Sequence, residues 1–314
     1  MRQQRLFSLL CSCMMAFLLS ACGGGGASSP VSTSSSVVPN AVTEPGAPAL
    51  TGNTAIDGFN WFNFRRVQLG LGALDHNSLL DVAAQAHSEY QKSNDTITHE
   101  QTVGKPGFTG INLIDRLRAA GYGFSATNYA YGEVISSTGD RSGVNAAEDL
   151  ITAIYHRFVI FEPRFKQAGV GAASVNQGYT YFTTDLVADN LNVGLGAGKI
   201  VVYPTDGQKN VLTLFNSNYE SPDPVPGKDI VGFPLSVHAD LGSLLKVQSF
   251  TLSLKGGPPL ASLLLSSATD NQTPTSAAAL IPLDPLVGGS NYDARFIGSV
   301  DGLAIDKSWS FSTR

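Results

Sequence analysis

The chain has three cysteines, Cys11, Cys13 and Cys22, and none in the rest of its 314 residues. That placement removes every disulfide-braced design and every thiolate-held metal site from the body of the chain. It also removes a cysteine nucleophile there. The body must be held by apolar burial, and 43% hydrophobic residues over this length supply about two domains. The net charge is −5, so no basic surplus is on hand to neutralise phosphates, and nucleic acid is excluded as a partner.

Arg2 and Arg5 precede an apolar run over residues 6–19. The run is too short to span a bilayer, which takes roughly 20 residues, and has the form of a signal-peptide core. It ends in Leu19-Ser20-Ala21-Cys22, which resembles the bacterial lipobox, where the cysteine thiol is diacylated and the chain is cut just before it. The resemblance implies a lipoprotein signal peptide at 1–21, lipidation of Cys22, and the membrane as a partner through that anchor. An ordinary cleaved signal peptide is the alternative. Either cut discards Arg2 and Arg5 and takes the side-chain charge from −5 to −7.

Residues 23–55 run through Gly23–Gly26 into a Ser/Pro/Ala/Thr-rich stretch whose one charge is Glu44. Such a segment has too little apolar area to offset chain entropy. The span 22–55 therefore reads as a lipidated flexible linker. The expected address is the bacterial cell envelope, outside the cytoplasm. Gly23 stands where an inner-membrane-retention aspartate would follow the lipid cysteine, which points to the outer membrane in a host that has one.

A first globular segment occupies 56–190. Phe59, Phe62, Phe64, Val67, Leu69 and Leu71 give an amphipathic stretch ended by Gly70 and Gly72. The spacing predicts helices over 77–92, with Asn77 or Ser78 as cap, over 110–120, and over 144–156. Strands are expected near 130–136, 167–174 and 179–186, with Asn176-Gln177-Gly178 as a hairpin turn. Three early helices, a strand, a helix and a hairpin suggest a sheet covered by helices on both faces.

Several patterns in this segment resemble one family. Asn63-x-x-Arg66 followed by Gly70-Leu71-Gly72-Ala73-Leu74 is similar to the opening of the CAP superfamily, also called the SCP domain. It contains cysteine-rich secretory proteins, antigen 5 and pathogenesis-related 1 proteins. Ala84-Gln85-Ala86-His87-Ser88, Ile97-Thr98-His99, Arg116 through Tyr122, Gly132-Glu133-Val134-Ile135 and His156-Arg157 match further motifs in order. Phe165-x-x-x-Gly169-Val170-Gly171 and Tyr181-Phe182-Thr183 match the closing hairpin. The likeness covers about 130 residues. It implies an α-β-α sandwich with a surface cleft lined, in many members, by two histidines and two glutamates. His99, Glu133 and His156 match three of those places. Glu148 lies on the right helix but off the motif. Where many members have Ser-Pro-Gly-His-Arg, this chain has Ala153-Ile154-Tyr155-His156-Arg157.

Two imidazoles and a carboxylate are chemically sufficient to bind a divalent metal such as zinc, magnesium or calcium. The same trio could serve as general acid and base without metal, or simply satisfy buried polar groups. No His-Glu-x-x-His helix and no Gly-x-Ser-x-Gly elbow is present. His87 is expected to be structural, and His76 and His238 to face solvent. Gly194-Leu195-Gly196-Ala197-Gly198-Lys199 is similar to a phosphate loop but lacks its spacing and its strand–loop–helix context, and reads as an interdomain turn.

From 198 to 314 the helical period vanishes. Strand signals over 200–203, 229–238, 248–255, 263–267, 277–282, 292–299 and 308–313 alternate with turn residues, which suggests an all-β sandwich. Val202-Tyr203-Pro204, Ser290-x-Tyr292 and Trp309-Ser310-Phe311 resemble bacterial immunoglobulin-like domains. The fold class is thus α+β, an α-β-α sandwich followed by an immunoglobulin-like sandwich, with the second domain read as a spacer or binding module. The expected function is binding of a lipid, envelope glycan or protein at the His99, Glu133 and His156 cleft, with no enzyme activity assigned. A metal-dependent or acid/base hydrolase using the same residues is the alternative, and a structural surface adhesin is a third.

Overall fold

The computed structural model describes residues 44–176 and 178–314. The expected signal peptide, Cys22 and most of the linker lie outside the described residues, as does Gln177 of the expected hairpin turn.

Asn53 opens the first helix by accepting from the Ile56 amide, and α1 runs Thr54–Gln68. Gly70, at φ 81°, ends it. The Asn-x-x-Arg motif then has a physical task. The Asn63 amide clamps the backbone of Leu74 with bonds of 3.1 and 2.7 Å. The buried Arg66 guanidinium donates to the carbonyls of Gly72, Ile160, Glu162 and Phe165. One arginine thus ties the end of α1 to a loop about 95 residues away.

Strand β1 (Asp75–His76) and helix α2 (Ser78–Asn94) follow, the latter capped by Asn77. Then come α3 (Leu113–Ala119), β2 (Ala130–Thr138), α4 (Gly143–Thr152), α5 (Ile154–Ile160), β3 (Gln167–Ser174) and β4 (Thr180–Ala188). The expected helix over 144–156 is two helices, broken where Ala153 turns extended at ψ 119°. The sheet order is β1-β3-β4-β2, so β2 is an edge strand. Helices α1, α4 and α5 cover one face, and α2 and α3 the other, as expected for an α-β-α sandwich. Helix α2 lies on the sheet so closely that a Cβ at Gly171 would sit 2.2 Å from the Gln85 amide nitrogen.

The second domain pairs two four-stranded sheets, one of which joins β10 (Leu245–Leu254), β13 (Asn291–Val300), β14 (Leu303–Thr313) and β6 (Gln208–Val211). The other joins β11 (Ser262–Ser266), β12 (Ala277–Pro282), β9 (Leu235–His238) and β5 (Val201–Tyr203). A small ribbon joins β7 (Leu214–Asn216) to β8 (Ile230–Gly232). Strands β6 and β7 carry no apolar alternation and were not expected. The expected strand over 229–238 is split, since Pro234 cannot donate to a ladder. Asp301 and Gly302, both at positive φ, make the two-residue turn between β13 and β14.

Strand β12 is buried along its whole length. Ala278 and Leu280 enter the sandwich core with Leu252 and Phe296. Ala277, Ala279 and Ile281 face the other way and meet Ile154, Tyr155 and Phe158 of α5. This is why residues 277–282 read as a continuous apolar run rather than an alternating one. The first domain is docked on the outer face of the sandwich.

Two connecting segments are also pinned. Glu44 accepts from Arg65 and Gln68, so the end of the expected linker lies against α1. In the Gly194–Lys199 stretch, the Leu195 and Gly196 amides donate to the Asp240 carboxylate, an anion supplied by the chain itself. Among the described residues no helix is long and apolar enough to cross a membrane.

Candidate functional site

Side chains alternate along edge strand β2. Gly132 faces α5, where a Cβ would press on Val159. Glu133 therefore faces α2 and α3. Its Oε1 accepts from His99 Nδ1 at 2.8 Å, and its Oε2 from Arg116 Nη2 at 2.7 Å. The His99 side chain is 14% exposed and that of Glu133 3%, so an imidazole stands partly open above a buried carboxylate.

The loop that carries His99 is fastened at two consecutive carbonyls. Arg116 Nη1 donates to the His99 carbonyl at 2.8 Å. His87 Nε2 donates to the Thr98 carbonyl at 2.7 Å, while its Nδ1 accepts from the Gln101 amide. Burial pushes the His87 imidazole below its usual pKa, which outweighs the pull of Glu133. A neutral, fully satisfied His87 is a structural residue, as the sequence suggested.

Burial alone would raise the Glu133 carboxyl, but the Arg116 guanidinium and the two imidazoles hold it well below the usual carboxylate range. Asp185 sits directly opposite Glu133 across the β2–β4 ladder, fully buried, with neither oxygen bonded to a donor among the described residues. Burial, then the charge of Glu133, pushes the Asp185 carboxyl well above the usual range. The floor of the site thus sets a glutamate favoured in its charged form beside an aspartate favoured in its protonated form. With one ring nitrogen bonded to Glu133 and its own carbonyl bonded to Arg116, the His99 imidazole is held in a fixed orientation over the buried carboxylate.

His156 lies elsewhere. It sits on α5, which packs on the opposite face of β2 from Glu133, and its Nδ1 is 3.1 Å from Glu220 Oε1 of the second domain. Glu148 is spent within the α1–α4 layer, accepting from Trp61 Nε1 and Arg65. Among the described residues no group of three or more His, Cys, Asp and Glu side chains could hold a metal ion. Both Glu133 oxygens are taken, one by a guanidinium that repels cations, so His99, Glu133 and His156 do not fit a divalent metal as a set.

His76 is exposed and bonded to Asp81, as expected. His238 corrects the expectation of a solvent-facing side chain: it is buried at the domain seam, edge-on to Phe158 and Phe161, with Nε2 on Ser236 Oγ. The outer face of the β9–β12 sheet is covered by α5, which the sequence of either domain alone does not reveal.

Residues 59–186 match the cysteine-rich secretory protein family, CAP. The first domain is a CAP domain. Among solved structures, similarity extends to an extracellular protein containing an SCP domain from Bacillus anthracis, at 25% identity over 43% of this chain and 40% of that one, with a TM-score of 0.35. This chain thus spans about two fifths of that relative's length. An outer surface protein from Borrelia burgdorferi matches at 14% identity over 41% of this chain and 87% of that one, TM-score 0.34. A cysteine-rich secretory protein from Staphylococcus aureus matches at 15% identity over 45% of this chain and 41% of that one, TM-score 0.30. No curated protein matches the chain.

Three residues that shape the CAP site escaped sequence reasoning. Arg116 stands out in the sequence only as part of a motif, although it shares the buried face of α3 with Leu113 and Leu117. Asp185 stands among threonines in the sequence of β4 (Thr180, Thr183, Thr184), which masks that the strand is buried along its whole length. Glu220 lies in a Ser/Pro-rich stretch of the other domain and carries no local signal.

Proposed function

We propose that this protein is a lipid-anchored envelope component, held outside the cytoplasm through Cys22. Its CAP domain binds a lipid, envelope glycan or protein ligand at His99. The observation that carries this reading is the partly open His99 imidazole, fixed by Glu133 and Arg116 within a loop whose Ile97, Val103, Phe108 and Ile111 are exposed. A polar anchor in a loop that also exposes apolar side chains suits a ligand with an apolar portion and a hydrogen-bonding group. The second domain, with its two packed sheets, is read as an immunoglobulin-like sandwich. The test is titration of the protein with purified envelope lipids and glycan fragments. His99→Ala should weaken binding at least about tenfold, the worth of one good polar contact. Equal binding by the variant removes the site from the proposal.

The His99–Glu133 pair also supports a second reading, hydrolysis with His99 as general base, because a buried carboxylate against one ring nitrogen is the usual way to orient a catalytic imidazole. Turnover of a peptide or glycan panel that is lost in His99→Ala would favour it over binding alone. No turnover by the unaltered protein would retire it.

A further inference from the structure

We infer that the second domain completes the CAP domain, with Glu220 as the residue that positions His156 and the start of α5. Helix α5 begins at Ala153, which has no side chain able to cap it. The first amides of a helix need acceptors, and a buried start without them is costly. Glu220 Oε2 accepts from the Ile154 amide at 2.7 Å, and Oε1 from the Tyr155 and His156 amides at 2.6 and 3.2 Å. Oε1 also takes the His156 ring Nδ1 at 3.1 Å. The carboxylate is only 2% exposed, so four donors replace its water.

Sequence chemistry agrees with this division of labour. The segment before His156 lacks a serine that could cap the helix locally, and an acid delivered from about 65 residues further along does that work. The seam around it is buried and held by specific contacts. Arg157 Nη1 donates to the Pro234 carbonyl at 2.6 Å, and its guanidinium lies 5.0 Å from the Tyr203 ring and 4.9 Å from the Phe233 ring. Glu162, just beyond α5, accepts from the Leu241 amide at 2.9 Å. The orientation of the His156 ring is set across the domain boundary, with Nδ1 directed at Glu220. The second domain is therefore a structural part of the CAP domain's His156 region, not a detachable spacer. This holds whether or not His99 binds a ligand.

The experiment is nuclear magnetic resonance of the full chain labelled in its histidine rings, with amide hydrogen exchange. In the unaltered protein, His156 should be the Nδ1–H tautomer. Glu220→Gln keeps an acceptor but loses the charge, and should move the His156 ring nitrogens while leaving those of His99 in place. Glu220→Ala should speed exchange of the Ile154, Tyr155 and His156 amides about tenfold or more relative to the α2 amides. Should Glu220→Ala fail to fold, the tautomer in the unaltered chain and the Glu220→Gln shifts still decide. An Nε2–H tautomer for His156, or His156 signals indifferent to Glu220→Gln, overturns the inference.

Discussion

Glu133→Gln removes the countercharge from Arg116, whose side chain is fully buried. Breaking a buried pair from one side typically costs ~3–5 kcal/mol, because the partner charge stays behind in a dry site. Two features pull this case to the low end. Arg116 keeps the His99 carbonyl at 2.8 Å, and the Asp185 carboxyl next door, held up by burial and by the charge of Glu133, ionises more readily once that charge is gone. A loss of about 3 kcal/mol is expected. Adding Asp185→Asn should then cost more than it does alone, since the reserve countercharge goes too. Arg116→Met with Glu133→Leu, which removes both charges, should cost less than Glu133→Gln. The chain has two tryptophans, Trp61 in the CAP domain and Trp309 in the sandwich, so single-tryptophan variants report each domain in urea unfolding. A Glu133→Gln loss below about 1 kcal/mol, the value of an exposed pair, would refute the buried-pair reasoning.

Gly171→Ala should destabilise the CAP domain by several kcal/mol, on the order of 3 or more, since its Cβ would strike the α2 backbone at 2.2 Å; thermal melting checks it. Burial pushes the Glu162 carboxyl up to about 7, above its unfolded value of 4.5. The stability linked to it is full below about pH 4.5 and is lost as the pH rises through about 7, in total on the order of 3 kcal/mol. Urea midpoints across that window should fall less steeply in Glu162→Gln. Burial lowers the buried His238 to about 3, so its contribution is present above about pH 6.5 and is lost as pH falls towards 3. A His238→Phe variant should lose that acid sensitivity in the same assay. Zinc, magnesium or calcium should leave the melting temperature unchanged, whereas a saturable rise would contradict the donor geometry around Glu133.

The CAP half of the fold was legible because its signals are local. Asn77 caps α2 where the pattern put it, and Asn63 and Arg66 recur as a motif because each binds a fixed backbone loop. His99 and Glu133 meet as the family resemblance implied. What the sequence concealed depends on contacts between distant segments. The break at Ala153 has no proline or glycine to announce it, because the acceptor for α5 comes from Glu220. His238 looks like a solvent-facing residue until α5 is laid over it. His156 matches a cleft motif, yet its partner belongs to the other domain.

The most direct test of the account is native mass spectrometry of the full chain extracted in mild detergent from the cells that make it. Wild-type protein should carry an envelope-derived ligand in addition to the lipid on Cys22, and His99→Ala should carry that lipid alone. The account is contradicted if the unaltered protein holds no such ligand, or if His99→Ala retains it in equal amount.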